Sequence, residues 1–230
     1  MSIVDRGSRG ERHPRSRWPE KGDWRSRSRE PETPPPTRAA PATATYILAG
    51  LCIAVFAYGA MSGVNLIRDY AFRPSDLQTG ANNAYLRLVT HMFLHGDWVH
   101  LIVNMVVLLS FGRGLEPVMG TVRFVILFFL TGVAAAVGHA VLTGFPETPM
   151  IGASGATAGI VGAAVLAAPR LPVIFFIIPM PLYLAVVVLV AIHIAAIAFD
   201  WDPGIAWYAH LAGIAAGITL YPLLRRRPVG

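Results

Sequence analysis

Apolar stretches alternate with short polar ones from Tyr46 to Leu224, and the pattern predicts helices that cross a membrane. About 30 Å of hydrocarbon takes about 20 helical residues, each rising about 1.5 Å. Six stretches qualify or come close: 46–67, 98–111, 118–142, 154–168, 173–199 and 205–224. The second and fourth are short. Their polar approaches, HMFLHGDW and FPETPMIGAS, predict helices that begin below the membrane surface and face a water-filled cavity. The fold class expected is all-α, a polytopic six-helix membrane bundle over residues 46–224. Segment 68–97 is longer than an ordinary connection and is expected to be functional or partly structured.

Residues 1–45 are rich in Arg, Ser, Glu and Pro and show no apolar period, so they read as a disordered tail. No secretory signal is recognised there, and the acidic residues argue against a mitochondrial transit peptide. The whole sequence is 54% hydrophobic and 14% charged, a balance that suits lipid better than water as the solvent. Its net charge of +6 comes mainly from arginines near the two ends. That distribution fits the positive-inside bias of membrane topology better than nucleic-acid binding. If six spans alternate, Arg38, Arg113, Arg123, Arg170 and Arg225 to Arg227 share one side. Both termini, including the basic end 225–230, are then cytoplasmic, and a bacterial inner membrane is the expected location. The lone cysteine, Cys52, excludes an intrachain disulfide and a thiolate metal cluster. No metal or cofactor is implied.

Ionisable and strongly polar groups inside spans are costly, which makes each a functional candidate. His100 and Asn104 stand four apart and share one helix face, with His91 and His95 before them. In GASGATAG, Ser154 lies beside a helix N-terminus, where N–H groups are unpaired and the dipole favours negative charge. His210 lies in AHLAGIAAG on the last stretch. Serine needs a base to take its proton, and the tetrahedral intermediate needs donors for its oxyanion. Ser154 as nucleophile, His210 as base and acid, and Ser154 N–H with the His100 and Asn104 side chains as donors supply one set of each. With no intramembrane carboxylate to orient His210, the expectation is a dyad. Gly155 with Gly159, and Gly213 with Gly217, form small-xxx-small motifs that allow close helix approach. His139 and His193 have no polar partner at helical spacing and are read as structural. The sequence from Gly152 to Ala156 lacks the second glycine of the hydrolase elbow G-x-S-x-G.

Taken in order, HMFLHGDWVHLIVN, GRGLEPVMG, GASG and AHLAGIAAG resemble the rhomboid family of intramembrane serine proteases. The resemblance implies a six-helix core without an added seventh span. It implies that Ser154 and His210 form the catalytic dyad and that His100 and Asn104 assist at the oxyanion. His95 would be a structural histidine near the outer mouth, and Glu116 with Gly120 would organise the start of the third span. Gly152 and Gly155 would support the serine, and Gly213 and Gly217 would be close-packing glycines. Family members often carry an aromatic residue four positions after the serine to stack on the histidine. Here that position is Ala158, leaving Trp207 or Tyr208 to fix the ring, or the ring loose. The implied partners are transmembrane protein substrates and the lipid bilayer, with no nucleic acid and the oligomeric state open. Two further readings stand beside the protease: a silent rhomboid-like pseudoprotease that binds membrane clients, and a small transporter using histidines as a proton path.

Overall fold

The structure is a computed structural model and describes residues 41–202 and 204–226. Most of the expected tail, and the final residues of the basic C-terminus, lie outside the described residues. Helix α1 spans Thr43–Ser62, so it begins inside the stretch assigned to the tail and ends where Gly63 turns left-handed. Short helices α2 (Leu66–Tyr70), α3 (Asp76–Thr79) and α4 (Ala84–Thr90) and the 3-10 turn His91–Phe93 follow. The bundle continues with α5 (Trp98–Met119), α6 (Thr121–Thr143), α7 (Ser154–Ala167), α8 (Leu182–Ala198) and α9 (Trp207–Leu224).

Among the described residues, α1, α5, α6 and α9 are long and apolar enough to cross a membrane, and α7 and α8 are shorter apolar helices. At about 1.5 Å per residue, the 14 residues of α7 extend about 21 Å, which falls short of a hydrocarbon layer of about 30 Å. The outward faces support lipid as the surrounding medium. Val99, Ile102, Val103 and Val106 form an exposed stripe on α5, while Asn104 on the opposite face is buried. In water such a stripe would be a large exposed apolar patch; in a membrane it meets acyl chains.

Two further expected boundaries move. The second stretch does not stop at Phe111: α5 continues through GRGLEP to Met119, and Gly120, at φ 85°, breaks the chain before α6. Pro117 lies in the last turn of α5, where its missing N–H leaves the carbonyl of Arg113 without its helical donor. The fifth stretch does not begin as a helix at Val173. Pro172, Pro179 and Pro181 interrupt the N–H ladder that a helix needs, and β1 (Pro172–Phe175) pairs antiparallel with β2 (Ile178–Pro181) before α8. The fold is therefore helical with one small hairpin, not wholly α. Segment 68–97 is structured, as expected: Arg87 pairs with Asp76 at 2.6 Å, and Phe72 exchanges backbone hydrogen bonds with Met150.

Glu116 does more than the role expected of it. It is fully buried, and its carboxylate accepts from Ala44 N–H, Thr45 N–H, Thr45 Oγ1 and Thr121 Oγ1 at 2.8–2.9 Å. It touches the start of α6 through Thr121, but it mainly caps α1, whose own N-cap residue, Ala42, offers no side-chain acceptor. Gly120 lies against Arg226, whose Nε donates to Met119 O at 3.3 Å. Because a buried donor left without its acceptor costs about 1–3 kcal/mol, Glu116→Ala is expected to destabilise the fold by several times that amount. Thermal unfolding in detergent checks this; an unchanged midpoint would show that water replaces the cap.

Candidate functional site

Helix α7 is the centre of the bundle, buried by α6 on one side and α9 on the other. The contacts are made by residues with no side chain to interpose. A Cβ on Gly213 would strike the carbonyl oxygen of Gly155, and one on Gly217 the carbonyl oxygen of Gly159. A Cβ on Gly162 would strike Ile214 O. Pairing of 155 with 213 and 159 with 217 makes α7 and α9 parallel, their backbones in contact, as the small-xxx-small motifs predict. On the other side, Gly155 faces Ala135 and Gly159 faces Thr131 of α6.

This packing brings Ser154 and His210 to the same end. Ser154 is one residue before Gly155, and His210 is three residues before Gly213 on the same face of α9. At about 1.5 Å per residue, their Cα atoms differ by about 3 Å in height along the paired helices. Ser154 is the first residue of α7, so its N–H and those of the next two residues have no carbonyl partner within the helix.

The approach to Ser154 is fixed from outside. Gly152 N–H donates to His91 O at 2.9 Å, and His91 Nδ1 donates to Arg87 O at 3.0 Å. His91 thus anchors the turn that delivers the serine; burial pushes its imidazole pKa down to about 4. Gly152 has φ +107°, a conformation few side chains adopt, and a Cβ there would stand 2.5 Å from His100 Nε2. The His100 ring therefore lies against the chain two residues before Ser154. Its backbone N–H is capped by Asp97 at 2.8 Å, and Asn104 Nδ2 donates to His100 O at 2.8 Å, which leaves the second N–H of that amide for another acceptor. His95 packs edge-on to His100, with ring centroids 5.1 Å apart, and both its nitrogens are buried without a partner among the described residues.

Sequence reasoning gave His193 a structural role but no polar partner. It has no partner on its own helix side chains, but it meets His210 across the α8–α9 hairpin: His193 Nε2 and His210 Nδ1 are 3.0 Å apart, and His193 Nδ1 lies 2.7 Å from Leu189 O. Trp207 stands edge-on to both rings, with centroids 5.1 Å from His193 and 6.3 Å from His210. Its own Nε1–H is tied to Asp202 O at 3.0 Å. The ring of His210 is therefore held, and not by position 158, where Ala158 packs beside Gly213. His100 and His139 are also within electrostatic reach of His210. His139 Nδ1 is buried and has no partner among the described residues. No cluster suited to a metal ion occurs among the described residues.

Comparison with known proteins agrees with this architecture. The family model for the Rhomboid domain matches residues 82–227. The chain is 27% identical over 188 residues to Rhomboid protein 1, mitochondrial, of Saccharomyces cerevisiae, covering 77% of this chain and 52% of the relative. It is 32% identical over 146 residues to RHOMBOID-like protein 4 of Arabidopsis thaliana, covering 62% and 34%. With Rhomboid protease GluP of Bacillus subtilis it shares 30% identity over 123 residues, covering 53% and 24%. The chain thus spans about half or less of the length of these curated relatives. With the domain match covering more than half of its residues, the chain belongs to the rhomboid family.

Proposed function

We propose that this chain is an intramembrane serine endopeptidase that cuts transmembrane segments of other membrane proteins, with Ser154 as nucleophile and His210 as general base and acid. The observation that supports the proposal is the parallel backbone contact of α7 with α9, whose neighbouring ends carry Ser154 and His210 beside a helix N-terminus with no side-chain cap. Attack by Ser154 Oγ on the scissile carbonyl passes the hydroxyl proton to His210 Nε2. The oxyanion is held by Ser154 N–H, His100 Nε2–H and the free N–H of Asn104, and His210 then returns the proton to the leaving amine. Water enters because α7 is too short to cross the hydrocarbon and begins within it. In this reading six helices build the membrane domain, the short α7 and α8 joining the four long ones. Both termini are cytoplasmic by the arginine distribution, and a bacterial inner membrane is the expected location. A substrate enters sideways from the bilayer and unwinds locally, since a helical peptide bond is shielded.

The alternative is a pseudoprotease that binds membrane clients without cutting them. Purified full-length chain in proteoliposomes with a reporter transmembrane substrate separates the two. The protease reading predicts a discrete product from the wild type and none from Ser154→Ala. Binding without cleavage by the wild type would favour the pseudoprotease.

A further inference from the structure

We infer that His193 is a positioning residue for His210, an uncharged third member that fixes the tautomer and orientation of the imidazole. The inference rests on the proposed role of His210 as base. A backbone carbonyl can only accept, so His193 Nδ1, 2.7 Å from Leu189 O, carries the proton of a neutral ring. His193 Nε2 then holds a lone pair, and the 3.0 Å contact requires His210 Nδ1 to donate. That assigns the remaining lone pair of His210 to Nε2, the only nitrogen left to take a proton from Ser154. The chain Leu189 O, His193, His210 thus selects the reactive tautomer before any substrate arrives.

During attack, the Ser154 Oγ–H bond breaks as the bond to His210 Nε2–H forms, and the proton on His210 Nδ1 stays in place. The resulting imidazolium is stabilised by the His193 Nε2 lone pair and, through His193 Nδ1–H, by the Leu189 carbonyl. The proton on Nε2 is later given to the leaving amine, which restores the neutral pair. An aspartate would hold the charge more strongly, but α8 contains no charged residue and lies among apolar neighbours. A neutral imidazole supplies the acceptor without placing a charge in that helix. Trp207, edge-on to both rings, limits their rotation.

The test uses full-length wild type, His193→Leu and His193→Gln, with steady-state cleavage of the reporter and nitrogen-15 NMR of the histidine rings. Leucine removes the acceptor, while the amide oxygen of glutamine retains one. His193→Leu is expected to lower kcat about 10²-fold with KM little changed, because a misplacement of about 1 Å costs that much in rate. His193→Gln is expected to recover most of the loss. The wild-type His210 ring should carry its proton on Nδ1, and this preference should be lost in His193→Leu and kept in His193→Gln. A wild-type kcat in His193→Leu, or a His210 ring protonated on Nε2 in the resting wild type, would overturn the positioning role even if cleavage depends on Ser154. Absence of Ser154-dependent cleavage by the wild type would instead remove the proposed function, and this role with it.

Discussion

Ser154→Ala and His210→Ala are each expected to reduce cleavage of a membrane substrate to background while leaving the protein folded. The nucleophile and its base act as one unit, and in soluble serine proteases the loss of either costs on the order of 10⁶-fold in turnover. For the same reason the double variant should be no slower than either single one. The structural cost should be small. Ser154 is the half-buried first residue of α7, its side chain makes no hydrogen bond among the described residues, and α7 is held by its glycine contacts with α6 and α9. His210→Ala loses the contact with His193, so a modest fall in melting temperature is expected beside the kinetic loss. Parallel measurements of thermal unfolding and single-turnover cleavage check both. Residual turnover above background in Ser154→Ala would mean that another group attacks the substrate.

The second large effect concerns the oxyanion. His100→Ala and Asn104→Ala are each expected to lower kcat by about 10²- to 10³-fold with a smaller change in KM, since the developing charge exists only in the transition state. Asn104 is the more exposed to a structural confound. It is buried, and its amide already spends one N–H on His100 O, so its removal also loosens the turn that carries His100. Asn104→Ser separates the two effects: its hydroxyl can donate its one proton to the carbonyl of His100, four residues back, and has none left for the oxyanion. Kinetics on the three variants check the assignment; wild-type kcat in all of them would leave Ser154 N–H as the sole donor.

Much of this was legible in the sequence because membrane helices announce themselves by length and by the rarity of polar residues. The apolar stretches predict the helices, and the glycine motifs anticipate the contact of α7 with α9. The boundaries were less legible where one residue does two jobs. Glu116 fell in the expected connection between the second and third stretches, yet it lies within α5 with its carboxylate turned inward to cap α1, more than 70 residues away in sequence. The hairpin between α7 and α8 was hidden inside an apolar run, although its prolines were a usable sign.

His193 was missed for a different reason. Same-face spacing of three or four residues pairs side chains within a helix, but says nothing of a partner on the next helix. Antiparallel neighbours joined by a short loop pair positions equidistant from its middle. His193 is eight residues before Trp201, and His210 is eight residues after Asp202. That symmetry was present in the sequence and pointed to the contact. Ala158 left two expectations, a ring fixed by Trp207 or Tyr208 or a loose one; Trp207 does stand edge-on to the imidazole, and the hydrogen-bonding partner comes in addition from α8.

Reaction of the purified wild-type protein with a fluorophosphonate tests the central claim most directly, because only a serine activated by a base attacks phosphorus at an appreciable rate. A single adduct is expected, mapped by mass spectrometry to Ser154, absent from Ser154→Ala and strongly slowed in His210→Ala. A folded wild-type protein that stays unlabelled, or one labelled equally well after loss of His210, would contradict it.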